Sequence, residues 1–384
     1  MILFRLFCLL LLLTAVSKNV RPEELSADDG SGKKYSAHTR TFGCLLPLSG
    51  RYRLIGEKAL RGILAAAGAG TPGVEYKVIV KDIGEGKGKL DEAFESLGKT
   101  ENLSFIVGPI PSKFISTISS RVNSAKIPAV VFPISESESS GGPYFIKYYY
   151  PLEDQVEALS RYAARELGVR TFGVLYPRTA LGERLSRSFA ESVRGTGGKL
   201  VYQGSYNPES RDVSGEVSWI ASVSPDAIFI PDGAASSAEV ILKLKRNPDL
   251  RDVLFIGPST WNSPVFFDLV GKEIDGFVFR AIFTDALFYG DDEWKQFSRL
   301  FEMEFAHQPD FLEFQLYKAV RLILSLQGSD GGPGRKTLID SLMSLKNNPA
   351  YEIRRDKSGS VQVSPRYRIM SVSDGELIDI MKAR

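Results

Sequence analysis

The chain is poor in histidine and cysteine, and it has no concentrated run of basic residues. Its 384 residues include only two histidines and two cysteines. Neither His38 nor His307 has a nucleophile motif such as G-x-S-x-G beside it, which argues against a Ser-His-Asp hydrolase. If the amino-terminal segment is removed, a single cysteine and two scattered histidines remain, too few for a zinc site. No internal disulfide can then form, and Cys44, inside the apolar stretch Phe42-Gly43-Cys44-Leu45-Leu46, reads as a buried, inert thiol. Nucleic acid needs a basic patch; here a net charge of +2 is spread through mixed signs, so nucleic acid is not an expected partner.

Long apolar runs are also missing, with one short exception. Residues 1–17 carry one basic residue, Arg5, then an apolar run ending in five leucines, then Ala15-Val16-Ser17. This pattern reads as a cleaved export signal, with an uncleaved membrane anchor as the alternative. The run is shorter than the ~20 residues of a comfortable membrane span. Cys8 sits within it rather than after a small-residue box, which disfavours lipidation. Residues 18–40 are polar and read as a flexible leader.

From Thr41 the pattern alternates. Strands are expected at 42–48, 74–81, 105–107 and 129–132, with helices at 55–67, 90–99 and 113–123 between them. A second series follows Pro151. Its strands fall at 171–176, 199–202, 227–230 and 253–256, and its helices at 153–167, 183–194, 213–222 and 235–245. A return segment is expected at 276–279, helices at 294–305 and 314–326, and hairpin strands from 351 to 380, turning at Lys357-Ser358-Gly359 and Ser373-Asp374-Gly375. Such βα alternation predicts parallel sheets covered by helices on both faces. Two sheets of this kind place ligand sites beyond the carboxyl ends of their strands, in a cleft between lobes. The glycine-rich stretch at 84–89 fails both G-x-x-x-x-G-K-[ST] and G-x-G-x-x-G and reads as a surface turn.

Several segments together resemble the type I periplasmic binding proteins, in the leucine/isoleucine/valine-binding branch. They are Gly43-Cys44-Leu45-Leu46-Pro47-Leu48-Ser49-Gly50 with Gly56 to Gly62, Phe105-Ile106-Val107-Gly108-Pro109-Ile110-Pro111-Ser112, Ile127 to Ser135, Gly173 to Pro177 with Leu181-Gly182, and Pro225 to Pro231. Ile256 to Asn262 and Pro309-Asp310-Phe311 look closest to the penicillin-binding-protein activator subgroup. The resemblance implies a non-enzymatic α/β fold of two lobes that closes on a small-molecule ligand, with no cofactor or metal. It implies three crossovers, near Tyr150, Phe279 and Ser329. Lobe one is then 41–150 with 280–329, and lobe two 151–279 with 330–384.

By position, Ser112 matches the hydroxyl that holds a ligand carboxylate, and Ile134 and Glu136 match the positions that offer a carbonyl and a threonine. Ser49, Ser135, Tyr148, Arg178, Asp232, Ser259 and Trp261 complete the expected ligand-facing set. Here the chain departs from the amino-acid binders. Glu136 replaces a hydroxyl, Leu181 a tyrosine, and Ser259 the acid that pairs with the ligand ammonium. Each candidate has a plain structural alternative: Ser112 as a helix cap, Trp261 as core packing, and Tyr148, Tyr149 and Tyr150 as hinge packing with one facing the cleft. The expected product is a monomeric extracytoplasmic solute-binding protein serving ABC-type transport or sensing. The alternative is an envelope regulator of a cell-wall synthase; an ABC permease or that synthase is the implied macromolecular partner.

Overall fold

A computed structural model describes residues 38–69, 74–133, 141–272, 280–286, 291–327, 335–373 and 376–380. The proposed signal and nearly all of the leader lie outside the described residues. The first sheet is built from β1 (His38–Leu46), β2 (Val74–Asp82), β3 (Leu103–Val107), β4 (Ala129–Val131), β5 (Phe145–Tyr148), β11 (Tyr351–Arg355) and β12 (Val361–Pro365), in the order β11-β12-β5-β4-β3-β1-β2. The second contains β6 (Thr171–Pro177), β7 (Lys199–Tyr206), β8 (Ala227–Phe229), β9 (Leu254–Gly257), β10 (Ala281–Asp285), β13 (Arg368–Ser373) and β14 (Glu376–Asp379), in the order β14-β13-β10-β9-β8-β6-β7. Both are parallel except at one end, where β11 pairs antiparallel with β12, and β13 with β10 and β14.

The first helices of the first lobe are α1 (Arg53–Gly68), α2 (Lys87–Gly98) and α3 (Ile115–Ala125). The second lobe has α4 (Leu152–Arg165), α5 (Ala180–Gly195), α6 (Ser214–Val223), α7 (Ala234–Lys245) and α8 (Pro264–Lys272). Alternation along each strand feeds two cores per sheet. Phe42, Cys44 and Leu46 of β1, with Phe105 and Val107 of β3, enter one core, while Leu45, Leu103 and Ile106 enter the other. In the second lobe Ile228 and Phe255 go to one side, and Ala227, Phe229, Leu254 and Ile256 to the other. Burial on both faces is why these strands read as continuous apolar runs. Cys44 is fully buried, and burial pushes its thiol well above the ordinary range.

The return of the chain differs from expectation in an informative way. The expected crossovers at Phe279 and Ser329, and the return segment 276–279, lie outside the described residues, and the flanking strands place the changes of sheet later. β10 still belongs to the second sheet, where it pairs with β9. The next elements, α9 (Asp292–Phe305), α10 (Phe311–Ser325) and α11 (Arg335–Ser344), return to the first core through Trp294, Phe314 and Leu338. β11 and β12 also join the first sheet, because Val361 and Val363 pair with Ile146 and Tyr148. The chain therefore changes sheets after Tyr148, after Asp285 and after Pro365. Assigning 280–329 to one lobe and 330–384 to the other is corrected accordingly. Hydrophobic pattern marks a strand but not its neighbour, and pairing decides the sheet.

One seam ties the returning α10 to α1. Gly62 lies so close that a Cβ there would stand 2.3 Å from the Glu313 carbonyl oxygen. Beside it Arg61 donates to the buried Glu313 carboxylate at 2.7 and 2.8 Å. Asp310 caps α10: it accepts from the Glu313 N–H, and the Glu313 side chain accepts from the Asp310 N–H.

Candidate functional site

The carboxyl ends of the parallel strands are where an open α/β sheet offers a site. In the first lobe, Asp82 at the end of β2 organises the loop after β1. It accepts from the Leu48 and Gly84 N–H groups at 2.8 and 2.9 Å and from Ser49 Oγ at 2.7 Å, and it pairs with Lys89. Burial alone would raise its carboxyl; the donors from Lys89, Ser49 and the backbone outweigh this and hold it well below the usual range. Ser49 is therefore committed to this clamp.

The loop after β3 passes through Gly108, whose φ is +101° and where a Cβ would stand 2.4 Å from the Leu45 carbonyl. Only glycine suits both constraints. Ser112, half-buried, opens a 3-10 turn (Ser112–Phe114) that runs into α3. Its neighbour Lys113 donates to Tyr52 Oη at 3.0 Å and sits 4.5 Å from the Tyr52 ring and 4.7 Å from the Phe114 ring. Arg51 lies 4.7 Å from the Tyr52 ring. The Lys113 hydrogen bond is the main reason the Tyr52 hydroxyl is lowered from its ordinary value. The loops after β1 and β3 thus meet in a basic, aromatic rim next to Ser112. Ile134, Ser135 and Glu136, after β4, lie outside the described residues.

Tyr148 is not a cleft side chain. It is 1% exposed in the first core, with ring centroids 6.1, 5.8 and 6.2 Å from those of Phe132, Tyr150 and Tyr351. Burial drives its hydroxyl well above the ordinary value. Tyr149 and Tyr150 are buried too, so all three tyrosines pack at the first crossing.

The second lobe repeats a device of the first. Gly56, in the first turn of α1, abuts the Pro47 carbonyl, where a Cβ would lie 2.1 Å away; Gly182, in the first turn of α5, abuts the Pro177 carbonyl at 2.2 Å. Both glycines let a helix start directly against the end of its strand. Arg178 follows β6, exposed, its N–H bonded to the Tyr206 carbonyl at 2.8 Å, and it makes no ion pair among the described residues. Asp232 follows β8. Its carboxylate accepts from the buried Tyr206 hydroxyl at 2.6 Å and from the Gly233 N–H at 2.7 Å. It is half-buried and makes no ion pair among the described residues. Burial, with the Asp232 hydrogen bond second, pushes the Tyr206 hydroxyl well up.

Ser259 and Trp261, after β9, turn inward. They are 1% and 0% exposed. The indole lies over Gly257, where a Cβ would meet the ring at 2.1 Å, and stacks on Phe266 at 4.8 Å. Thr260 Oγ1 donates to the Asp232 carbonyl at 3.3 Å, joining this turn to the start of α7. Ser259 Oγ, Trp261 Nε1 and Asn262 Nδ2 are buried without a hydrogen-bond partner among the described residues. Neither Asn262 nor Tyr206 was expected to face a ligand. Asn262 entered only as the last residue of the segment from Ile256, and Tyr206 closes a strand expected to end at Tyr202.

Ser49, Ser112, Arg178 and Asp232 thus stand at strand ends, while Tyr148, Ser259 and Trp261 are packing residues. Among the described residues no group of three or more His, Cys, Asp or Glu could hold a metal, and no helix is long and apolar enough to cross a membrane. Two other hollows lie elsewhere: one of about 300 Å³ between Ala65, Phe297 and Met303, and one of about 470 Å³ around Arg170, Asp226 and Arg280.

Two mostly parallel sheets, crossed three times by the chain and flanked by helices, define the two-lobed fold of binding proteins. The model of the periplasmic binding protein family matches residues 39–376, and the chain belongs to that family, in its type I form. Solved structures agree on the fold. The leucine binding protein LivK of Thermotoga maritima is 18% identical, with a TM-score of 0.60 over 88% of this chain and 97% of its own. LivJ of Streptococcus pneumoniae, a branched-chain amino acid transporter substrate binding protein in complex with isoleucine, is 16% identical, with a TM-score of 0.63 over 88% and 97%. A solute binding protein of an ABC transporter from Rhodopseudomonas palustris, in complex with 3,4-dihydroxy benzoic acid, is 18% identical, with a TM-score of 0.61 over 89% and 96%. No curated protein matches the chain in sequence.

Proposed function

We propose that the protein captures a small polar or anionic solute outside the cytoplasmic membrane by closing its two lobes, and passes the loaded form to an ABC permease or a sensory partner. The reading rests on the repeated architecture: two similar sheets joined by three crossings, with polar side chains at the strand ends of each. Ser112, beside the ammonium of Lys113, suits a carboxylate or another anionic group. From the second lobe, Arg178 suits the same charge, and Asp232, pre-oriented by Tyr206, suits a donor or cationic group on the ligand. Asp232 thereby offers the negative charge that Ser259, turned into the core, does not.

The inward turn of Ser259 and Trp261 favours a second reading, an envelope regulator of a cell-wall synthase that keeps the fold as an interaction module. Co-purification of such a synthase, with no solute bound, favours it. For the first reading, isothermal calorimetry with isoleucine and with benzoate is the test. Ser112→Ala is expected to weaken a bound carboxylate by about 1.5–3 kcal/mol, the size of a hydrogen bond to a charged group, with the unfolding midpoint hardly moved. Unchanged affinity leaves Ser112 as a helix-start residue only.

A further inference from the structure

We infer that the ion pair between Arg368 and Asp291 is a latch across the hinge that sets the balance between two separations of the lobes. Arg368 begins β13, directly opposite Asp285 of β10. Its Nε and Nη2 reach Asp285 Oδ2 at 3.0 and 2.9 Å, and its Nη1 lies 3.4 Å from Asp379 Oδ2. All three of these residues belong to the second sheet. The fourth member does not: Asp291 precedes α9, whose Trp294, Phe297 and Phe301 are in the first core. Asp291 Oδ1 accepts from Arg368 Nη2 at 3.1 Å, so one guanidinium holds carboxylates from both lobes.

The two kinds of contact differ in strength. Asp285 is fully buried and Arg368 nearly so, which anchors the guanidinium firmly to the second lobe. Neighbouring contacts hold that side too: Thr284 Oγ1 donates to Gln155 Oε1 at 2.7 Å, and Tyr367 Oη donates to the Asp154 carbonyl at 3.2 Å, both on α4. The Asp291 carboxylate is 43% exposed, so its pair is screened and weak enough to open. An interaction of that class shifts a two-state equilibrium by about two- to fivefold. The anchor stays in place while the latch breaks and reforms.

The inference rests on the proposed lobe closure, and it is tested without any ligand. Dyes on Glu95→Cys and Glu191→Cys in the full chain carrying Cys8→Ser report the lobe separation by single-molecule energy transfer; buried Cys44 stays unlabelled. Asp291→Asn is expected to change the ratio of the two separations by about two- to fivefold, with little change in the unfolding midpoint. Adding 1 M NaCl to the parent protein should mimic it, because screening at that ionic strength acts within about 3 Å. Asp285→Asn, by contrast, should lower the unfolding midpoint. An unchanged ratio in Asp291→Asn overturns the latch. Isoleucine, benzoate and a metabolite extract are then added to the parent: no response to any of them, alongside a shifted Asp291→Asn, fails the solute reading and leaves the latch standing.

Discussion

Trp261→Ala is expected to cost about 3–5 kcal/mol of unfolding free energy, the range for deleting a large buried aromatic. The indole is fully buried, stacked on Phe266 and laid over Gly257, where no other residue leaves room for it. Removing it opens a cavity beside Phe266 in the second lobe's core that the packed sheet cannot refill. Urea denaturation followed by circular dichroism measures the loss. Gly257→Ala should destabilise for the converse reason, since its methyl would meet the ring. If Trp261 were instead a stacking platform for ligand, Trp261→Ala would lower affinity and leave stability within about 1 kcal/mol of the parent. That pattern would return Trp261 to the binding surface.

A comparable loss is expected from Arg61→Met. Glu313 is 1% exposed, and Arg61 supplies its charge partner at 2.7 Å. Removing Arg61 leaves the buried carboxylate with no basic partner nearer than His307 Nε2, 3.7 Å away, at a cost of about 3–5 kcal/mol. Arg61 is itself a quarter exposed, which places the effect near the lower end. Changing both, Arg61→Met with Glu313→Leu, should recover much of the loss, because the burial penalty disappears together with the attraction. The recovery stays incomplete, since the Glu313 side chain also caps the Asp310 N–H. Thermal unfolding of the single and double variants decides the matter: equal losses in both would show that packing, not charge, governs the seam.

Most of the order of strands and helices was legible because each βα unit carries its own period, although α8 and α11 were not expected. Phe42 to Leu48 alternates between two buried faces, and a helix with one apolar stripe follows. The type I likeness was legible as well, through short segments at strand ends. What stayed hidden depends on partners distant in sequence. β5 was not foreseen because Lys147 interrupts its apolar run; the buried lysine is paired with Asp356 at 2.7 Å. The sheet membership of β10, β11 and β12 follows from hydrogen-bonded neighbours that no local pattern encodes.

The site divides in the same way. Ser112, through the family resemblance, and Arg178 and Asp232, through their place after a strand, were expected to face a ligand, and all three stand at strand ends. Ser259, placed by the same resemblance, and Trp261, weighed as core packing or a stacking surface, lie in a 3-10 turn (Ser259–Trp261) that is buried in the core. Tyr206 showed no signal of its own, because a tyrosine in a strand is ordinary until an aspartate stands opposite its hydroxyl.

Closure on a solute is the central claim, and small-angle scattering of the full chain measures it most directly. A ligand binds one arrangement of the lobes better than the other, and only that difference can shift their balance. The radius of gyration should fall when isoleucine, benzoate or a metabolite extract containing the true solute is added, and it should return on dialysis. A radius that stays constant with every addition, while the protein remains folded, would contradict the account.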